Sequence, residues 1–188
     1  MGILLFLVSC NYSIGVGCGY YMPSLERLNL KYNAESRIKP SLIVGLDGKI
    51  SSSHFFLNVG VDYFKGKTLD ELRNLAVIPI DVSLNYKSWL IPALLDYYAG
   101  VGYERCFAQY TGENNIKTSG WGNGIPVKVG VNFMVIPEVS VDLLGGFRFV
   151  NISEIKSSDG SLLTDATCKV IPIELWGPFF KINIIHKL

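Results

Sequence analysis

Between Ile125 and Val135 the chain alternates without a lapse. Ile125, Val127, Val129, Val131, Phe133 and Val135 take the odd positions, and Pro126, Lys128, Gly130, Asn132 and Met134 fall between them. After an Ile136-Pro137-Glu138 corner the alternation resumes. Val139, Val141, Leu143, Gly145, Phe147 and Phe149 now share one side, and Ser140, Asp142, Leu144, Gly146 and Arg148 the other. A period of two is the mark of extended strand, in which successive side chains point to opposite faces. Both runs exceed the usual strand length of about 5–6 residues. Their charges Lys128, Asp142 and Arg148 sit in mid-strand on the side that also carries Gly130 and Gly146. A wall with lipid on one side and a narrow polar interior on the other has this pattern.

The same reading along the whole chain predicts eight strands, over 11–22, 37–47, 53–65, 76–88, 94–110, 121–135, 138–153 and 168–187. Their connections alternate in length. Quick turns follow the second, fourth and sixth strands, through Gly48-Lys49-Ile50, Trp89-Leu90-Ile91-Pro92 and Ile136-Pro137. Longer polar segments follow the others, such as Thr111 to Asn115 and Ser157 to Gly160. Ser24 to Tyr32 and Leu69 to Leu75 have helix-like spacing, with Ser24 and Thr68 placed as N-caps. Short turns at one rim, long loops at the other and both termini on the short-turn side describe one architecture. It is an all-β, eight-stranded antiparallel up-and-down transmembrane β-barrel.

The two faces then take different solvents. The apolar face includes Tyr12, Ile14, Val16 and Tyr20, then Phe55 to Tyr63 and Ile78 to Tyr86 at alternate positions, and Tyr97, Val101, Tyr103 and Phe107. The opposite face carries glycine, serine, asparagine and a few charges, which suits an eight-stranded barrel whose interior is only just wide enough for side chains. Asp62, Asp81, Glu104, Lys128, Asp142 and Arg148 are expected in that lumen as ion pairs, because buried charge needs a partner. Tyr12, Tyr20, Tyr63, Tyr86, Trp89 and Tyr97 stand toward strand ends, where an aromatic girdle would meet lipid headgroups. In the last strand Ile171, Ile173 and Leu175 keep one phase and Phe180, Ile182 and Ile184 the other. A bulge at Gly177-Pro178 is expected to reset the register.

Composition agrees with this reading. Charged residues are 18% of the 188, against about 25% for soluble domains. The longest apolar run, Ile3 to Val8, is far short of the roughly 20 residues of a spanning helix. A net charge of +1 without a basic patch gives nucleic acid no purchase. Cys10, Cys18, Cys106 and Cys168 form no Cys-x-x-Cys pair and have no nearby histidine, so no metal site or cofactor is expected, and the cysteines read as buried free thiols. Residues 1–10 read as the remnant of a signal peptide preceding a single barrel domain over 11–188. Leu7-Val8-Ser9-Cys10 has the form of a lipoprotein cleavage box, with Cys10 as the residue that would carry lipid.

Asp96-Tyr97-Tyr98-Ala99-Gly100-Val101-Gly102-Tyr103, the run from Val127 to Phe149, and Gly15 to Pro23 followed by Ser24-Leu25 resemble segments of the outer-membrane β-barrel domain family, the small barrels of the OmpA and OmpX kind. The resemblance implies short periplasmic turns, longer extracellular loops and residence in the bacterial outer membrane as a monomer. It also implies contact with outer-membrane lipids and with the barrel-assembly machinery during insertion. Such barrels finish in an aromatic residue that this machinery reads, whereas this chain ends His186-Lys187-Leu188. The function expected is structural or adhesive display of loops. The alternatives are a narrow channel for small solutes or hydrophobic compounds, and a soluble lipocalin-like barrel with its apolar face inward. No enzyme is expected: His54 and His186 both map to the short-turn rim without a serine and carboxylate at triad spacing, and Gly15-Val16-Gly17 opens no helix.

Overall fold

A computed structural model describes residues 10–23, 39–67, 74–111, 117–157, 160, 162 and 172–188. Eight strands follow in order: β1 (Asn11–Tyr21), β2 (Ser41–Ser51), β3 (Phe55–Lys67), β4 (Asn74–Ile91), β5 (Leu95–Thr111), β6 (Lys117–Ile136), β7 (Val139–Ser157) and β8 (Ile173–Lys187). Each pairs antiparallel with the next, and β8 returns to β1 from Ser13↔Lys187 to Tyr21↔Phe179, closing the barrel. The helix-like segments Ser24 to Tyr32 and 69–73, Cys168 and Ile171 lie outside the described residues. Leu75 belongs to β4.

Three sequence expectations are corrected. Gly48-Lys49-Ile50 is no turn: all three residues stay in the ladder opposite Ile14, Ser13 and Tyr12, and the chain reverses at 52–54, where the Ser52 N–H bonds the Phe55 carbonyl at 2.8 Å. Lys49 anchors this stretch by reaching inward to Asp142. Trp89, Leu90 and Ile91 likewise extend β4, and the reversal falls at 92–94, with Ala93 at φ 61°. β8 carries no bulge at Gly177-Pro178. Its pairing with β7 runs one to one through Arg148↔Gly177 and Phe147↔Pro178, and its burial alternates throughout.

The continuity of β8 exposes a feature of the whole barrel: a single strand phase changes its chemistry with height. Ile173 and Leu175 point inward near the loop rim, whereas Lys181 and Asn183 hold the same inward phase lower down. β4 and β7 repeat this, with inward Leu75, Val77, Val150 and Ile152 above and inward Asp81, Ser83, Asp142 and Arg148 below. The outer face inverts to match. Phe55, Leu57, Val59, Val61 and Tyr63 give way to Lys65 and Lys67 on β3, and Phe147 and Phe149 to Asn151 and Ser153 on β7. Above the changeover the barrel is built as a soluble one, apolar inside and polar outside. Below it the order is reversed, as lipid requires.

From Phe55 to Lys65 is ten residues, which at about 3.3 Å per residue and a tilt near 40° is roughly 25 Å of height, the thickness of an outer-membrane apolar band. The cysteines report on this geometry. Cys18 is exposed on the outer face between Val16 and Tyr20, and Cys106 is buried inside, so the expectation of buried thiols is corrected for Cys18. An uncharged maleimide should label Cys18 in reconstituted vesicles while a charged maleimide labels it at least about tenfold more slowly, since a charged group near the middle of the band costs about 2–4 kcal/mol. Mass spectrometry of the labelled chain reads both rates. Equal rates would mean that Cys18 faces water.

Candidate functional site

Two packed layers fill the lumen above an open vestibule. Toward the loop rim, Tyr21, Ile43, Phe64, Val150, Ile152 and Ile173 are among the buried side chains of an apolar layer. Tyr21 meets the Phe64 ring edge-on at 4.7 Å, and its hydroxyl donates to the Leu175 carbonyl at 2.8 Å. That bond satisfies the one polar atom Tyr21 brings into an apolar surrounding.

Below it lies an ionic layer drawn from seven of the eight strands. Asp62 is its hub. It accepts from the Arg148 guanidinium on one oxygen and from Lys181 Nζ, at 2.6 Å, on the other. Lys181 also reaches Asp47 at 2.7 Å, and Asp47 accepts from Asn58 Nδ2 at 3.1 Å. Lys128 donates to Asp81 and, at 3.2 Å, to Ser83 Oγ. Glu104 Oε2 stands 3.1 Å from Arg148 Nε, off the line of a hydrogen bond, so this contact is Coulombic. Glu104 Oε1 accepts from the Cys106 thiol at 3.1 Å. The Arg148 guanidinium lies over the Phe179 ring at 4.6 Å, which covers the face that no carboxylate occupies.

Asp142 completes the layer toward the short-turn rim. It accepts from Lys49 at 2.8 Å, from the Tyr98 hydroxyl at 2.9 Å and from Asn183 Nδ2 at 3.3 Å. Five carboxylates (Asp47, Asp62, Asp81, Glu104, Asp142) thus face four cations (Lys49, Lys128, Arg148, Lys181), nearly neutralising the lumen. The space left between Asp47, Asn85, Lys128 and Asp142 is about 10 Å³, room for at most about one water. Beneath, a vestibule of about 230 Å³ opens at the short-turn rim between Lys49, Lys87, Asp96, Asn132 and Lys187. Its inner end is stopped by the edge-on pair Phe56 and Tyr98, 5.0 Å apart, with Lys49 Nζ over both rings.

All six lumen residues expected from sequence point inward and are buried. Asp62, Glu104 and Arg148 meet directly. Lys128 and Asp81 form a separate pair, and Asp142 belongs with Lys49 and Tyr98 rather than with Arg148. Asp47, Lys49 and Lys181 were missed. The signal was available for Lys181, a charge in mid-strand between Phe180 and Ile182, but the supposed bulge obscured its phase. Lys49 was hidden by placing the turn too early, and Asp47 by standing at the very end of the expected strand.

Five of the six expected girdle residues point outward, Tyr12, Tyr86 and Tyr97 toward the short-turn rim and Tyr20 and Tyr63 toward the loop rim. Trp89 is corrected: it keeps the inward phase of β4 opposite Asp96 and lines the mouth of the vestibule, because the strand runs on past the expected turn. Phe107, Trp121 and Trp176 add to the loop-side ring. His54 stacks on Tyr86 with ring centroids 6.2 Å apart, and His186 faces outward. Among the described residues no group of three or more His, Cys, Asp or Glu side chains is placed to hold a metal ion.

No protein-family model and no curated protein matches this chain. Solved structures do. The chain is similar to Neisserial surface protein A (NspA), with a TM-score of 0.60 at 13% identity over 94% of this chain and 97% of that one. It is similar to the outer membrane protein OprG from Pseudomonas aeruginosa, with a TM-score of 0.64 at 12% identity over 96% of each chain. It is also similar to Ail, the attachment invasion locus protein of Yersinia pestis, with a TM-score of 0.53 at 8% identity over 95% of this chain and 98% of that one. The fold is that of small outer-membrane barrels.

Proposed function

We propose that this protein is an integral outer-membrane barrel with a closed lumen, which presents its four loops at the cell surface in a structural or adhesive role. The observation that carries the reading is the filling of the lumen. An apolar layer stands over a nearly neutral ionic layer with about 10 Å³ of space in it. A hydrated ion has no path through side chains packed in this way, and moving Arg148 or Lys181 aside would strand their carboxylates in a water-poor interior. The fold shared with Ail, a protein named for attachment and invasion, is consistent with display by the loops. The outward face of β8 runs Phe180, Ile182, Ile184, His186 and ends at Leu188. This is the stripe we expect the barrel-assembly machinery to read.

The rival reading is a narrow channel, with the vestibule as its entrance. Reconstitution decides between them. The purified chain should need detergent to remain monodisperse, and in planar bilayers it should give no single-channel steps. Adhesion is read by coating beads with vesicles that carry the barrel and counting their attachment to host cells, with empty vesicles as the reference. Steady currents abolished by Arg148→Ala would establish the channel instead, and a monodisperse monomer in plain buffer would remove the membrane reading altogether.

A further inference from the structure

The changeover of the outer face marks a boundary around the barrel, and one residue on it is built differently from the rest. Lys65, Arg105, Asn123, Asn151 and Glu174 are the first polar residues above the apolar stripes of β3, β5, β6, β7 and β8. Arg105 lies ten residues from Leu95 at the short-turn end of β5, so it stands at roughly the same 25 Å height as Lys65, at the far edge of the band. Its stripe below is Tyr97, Ala99, Val101 and Tyr103.

Arg105 is held in place. One amino group donates to Asn123 Oδ1 at 2.8 Å, across the β5–β6 pair in which the two residues are partners. The Tyr103 hydroxyl donates to the same oxygen at 2.6 Å, fixing the amide from below. The guanidinium lies over the Trp121 ring with its carbon 5.5 Å from the centroid, and Trp121 leans on Phe107 at 5.2 Å. Trp121 and Asn123 stand two apart on β6, so strand alternation puts both side chains on the same outer surface. A guanidinium offers five donors in a flat fork, and fixing its plane in advance lowers the entropy lost on binding an anion. On a lipid-facing wall at headgroup height, the anion within reach is a lipid phosphate.

We propose that Arg105, oriented by Asn123 and Trp121, binds the phosphate of an anionic lipid headgroup at the loop-side edge of the apolar band. Trp121 and Phe107 flank the headgroup on the loop side of Arg105, and Tyr103 and Val101 meet the glycerol and upper acyl segments beneath it. The proposal rests on the membrane reading given above and assigns to it a particular lipid contact.

The test uses the full chain with Trp89→Phe and Trp176→Phe, so that Trp121 is the only tryptophan. It is reconstituted in vesicles of phosphatidylcholine and phosphatidic acid in equal parts, with one or the other lipid brominated near the carbonyl end of its chains. Brominated phosphatidic acid should quench Trp121 with a relative binding constant about five- to tenfold above that of brominated phosphatidylcholine, as one charge-assisted pair supplies. Arg105→Gln should bring the ratio close to one, and Arg105→Lys should retain only part of it. The heat-dependent gel mobility of a folded barrel checks each variant.

Equal quenching in the parent chain, or an unchanged ratio in Arg105→Gln, would overturn the site. A ratio erased by inorganic phosphate would assign the anion to free phosphate and overturn the lipid source. Trp121 unquenched by either lipid would mean that the chain does not insert, which takes down the membrane reading with it.

Discussion

Replacing Asp62 by alanine should lower the stability of the inserted barrel by about 3–5 kcal/mol, the usual cost of stripping the partner from a buried charge. Asp62 serves two cations at once, Arg148 and Lys181, and all three are buried. Without it, Lys181 keeps Asp47 and Arg148 keeps only its off-line contact with Glu104. Asp62→Asn should cost nearly as much, because the volume is kept and the charge is lost. Asp142→Asn should cost less: its cation Lys49 borders the vestibule with an 11% exposed side chain, so water takes over part of the pairing. Urea unfolding from lipid vesicles, followed by tryptophan fluorescence, orders the three variants. A loss below about 1 kcal/mol for Asp62→Ala, the range of solvent-screened pairs, would mean that the lumen is wet and would weaken the closed-lumen reading.

Gly19→Ala should prevent or severely weaken closure of the barrel, by about 1–3 kcal/mol at the least, as overpacking in a tight interior does. Gly19 lies on the β1–β8 seam opposite Lys181. A Cβ there would run into the carbonyl oxygen of Phe180 and come within 2.6 Å of Lys181 Cα and 2.8 Å of the Phe180 carbonyl carbon. These are backbone atoms, which can move only by separating the strands. Gly17, two residues away, offers a milder case, since its Cβ would press on the side chains of Asn183 and Lys181. Gly48→Ala is the control. Its Cβ would meet nothing nearer than the Val59 carbonyl oxygen at 3.9 Å, and the change should be neutral or stabilising by up to about 1 kcal/mol through the unfolded chain. Folding yields by gel mobility, at equal protein concentration in the same vesicles, rank the variants. A Gly19→Ala barrel that folds as well as Gly48→Ala would contradict the seam described above.

The strands, their number and the alternation of short and long connections were legible in the chain because a strand in a barrel wall sees two unlike media. Each residue's side is then written in its polarity. That rule also placed Asp62, Asp81, Glu104, Lys128, Asp142 and Arg148 inside. It failed where the media change along a strand. Ile173 and Leu175 look like an outward stripe out of step with Phe180, Ile182 and Ile184, and a bulge was the economical explanation. In the barrel they keep step and point inward, because above the band the outside is water and the inside is the dry place. Read this way, the lipocalin-like alternative describes the upper third of the wall and the membrane-barrel reading the rest.

Strand ends were the other weak point. Turns were expected from Gly48 and from Trp89, but backbone pairing with β1 and β5 carried the strands to Ser51 and Ile91, and at the second corner only Pro92 itself falls in the turn. Local punctuation is weak evidence when a ladder of hydrogen bonds with a neighbouring strand outweighs it.

By itself, the sequence determined that this chain builds eight strands with one apolar and one polar face, since a period of two sends successive side chains to opposite sides. Only the tertiary structure decided which charge meets which: that Asp62 joins Arg148 to Lys181, that Asp142 goes with Lys49 and Tyr98, and that Arg105 rests on Asn123 and Trp121. Those pairings depend on the register and shear that set the heights of strands far apart in the chain, and closure of β8 onto β1 fixes the heights for all eight strands at once.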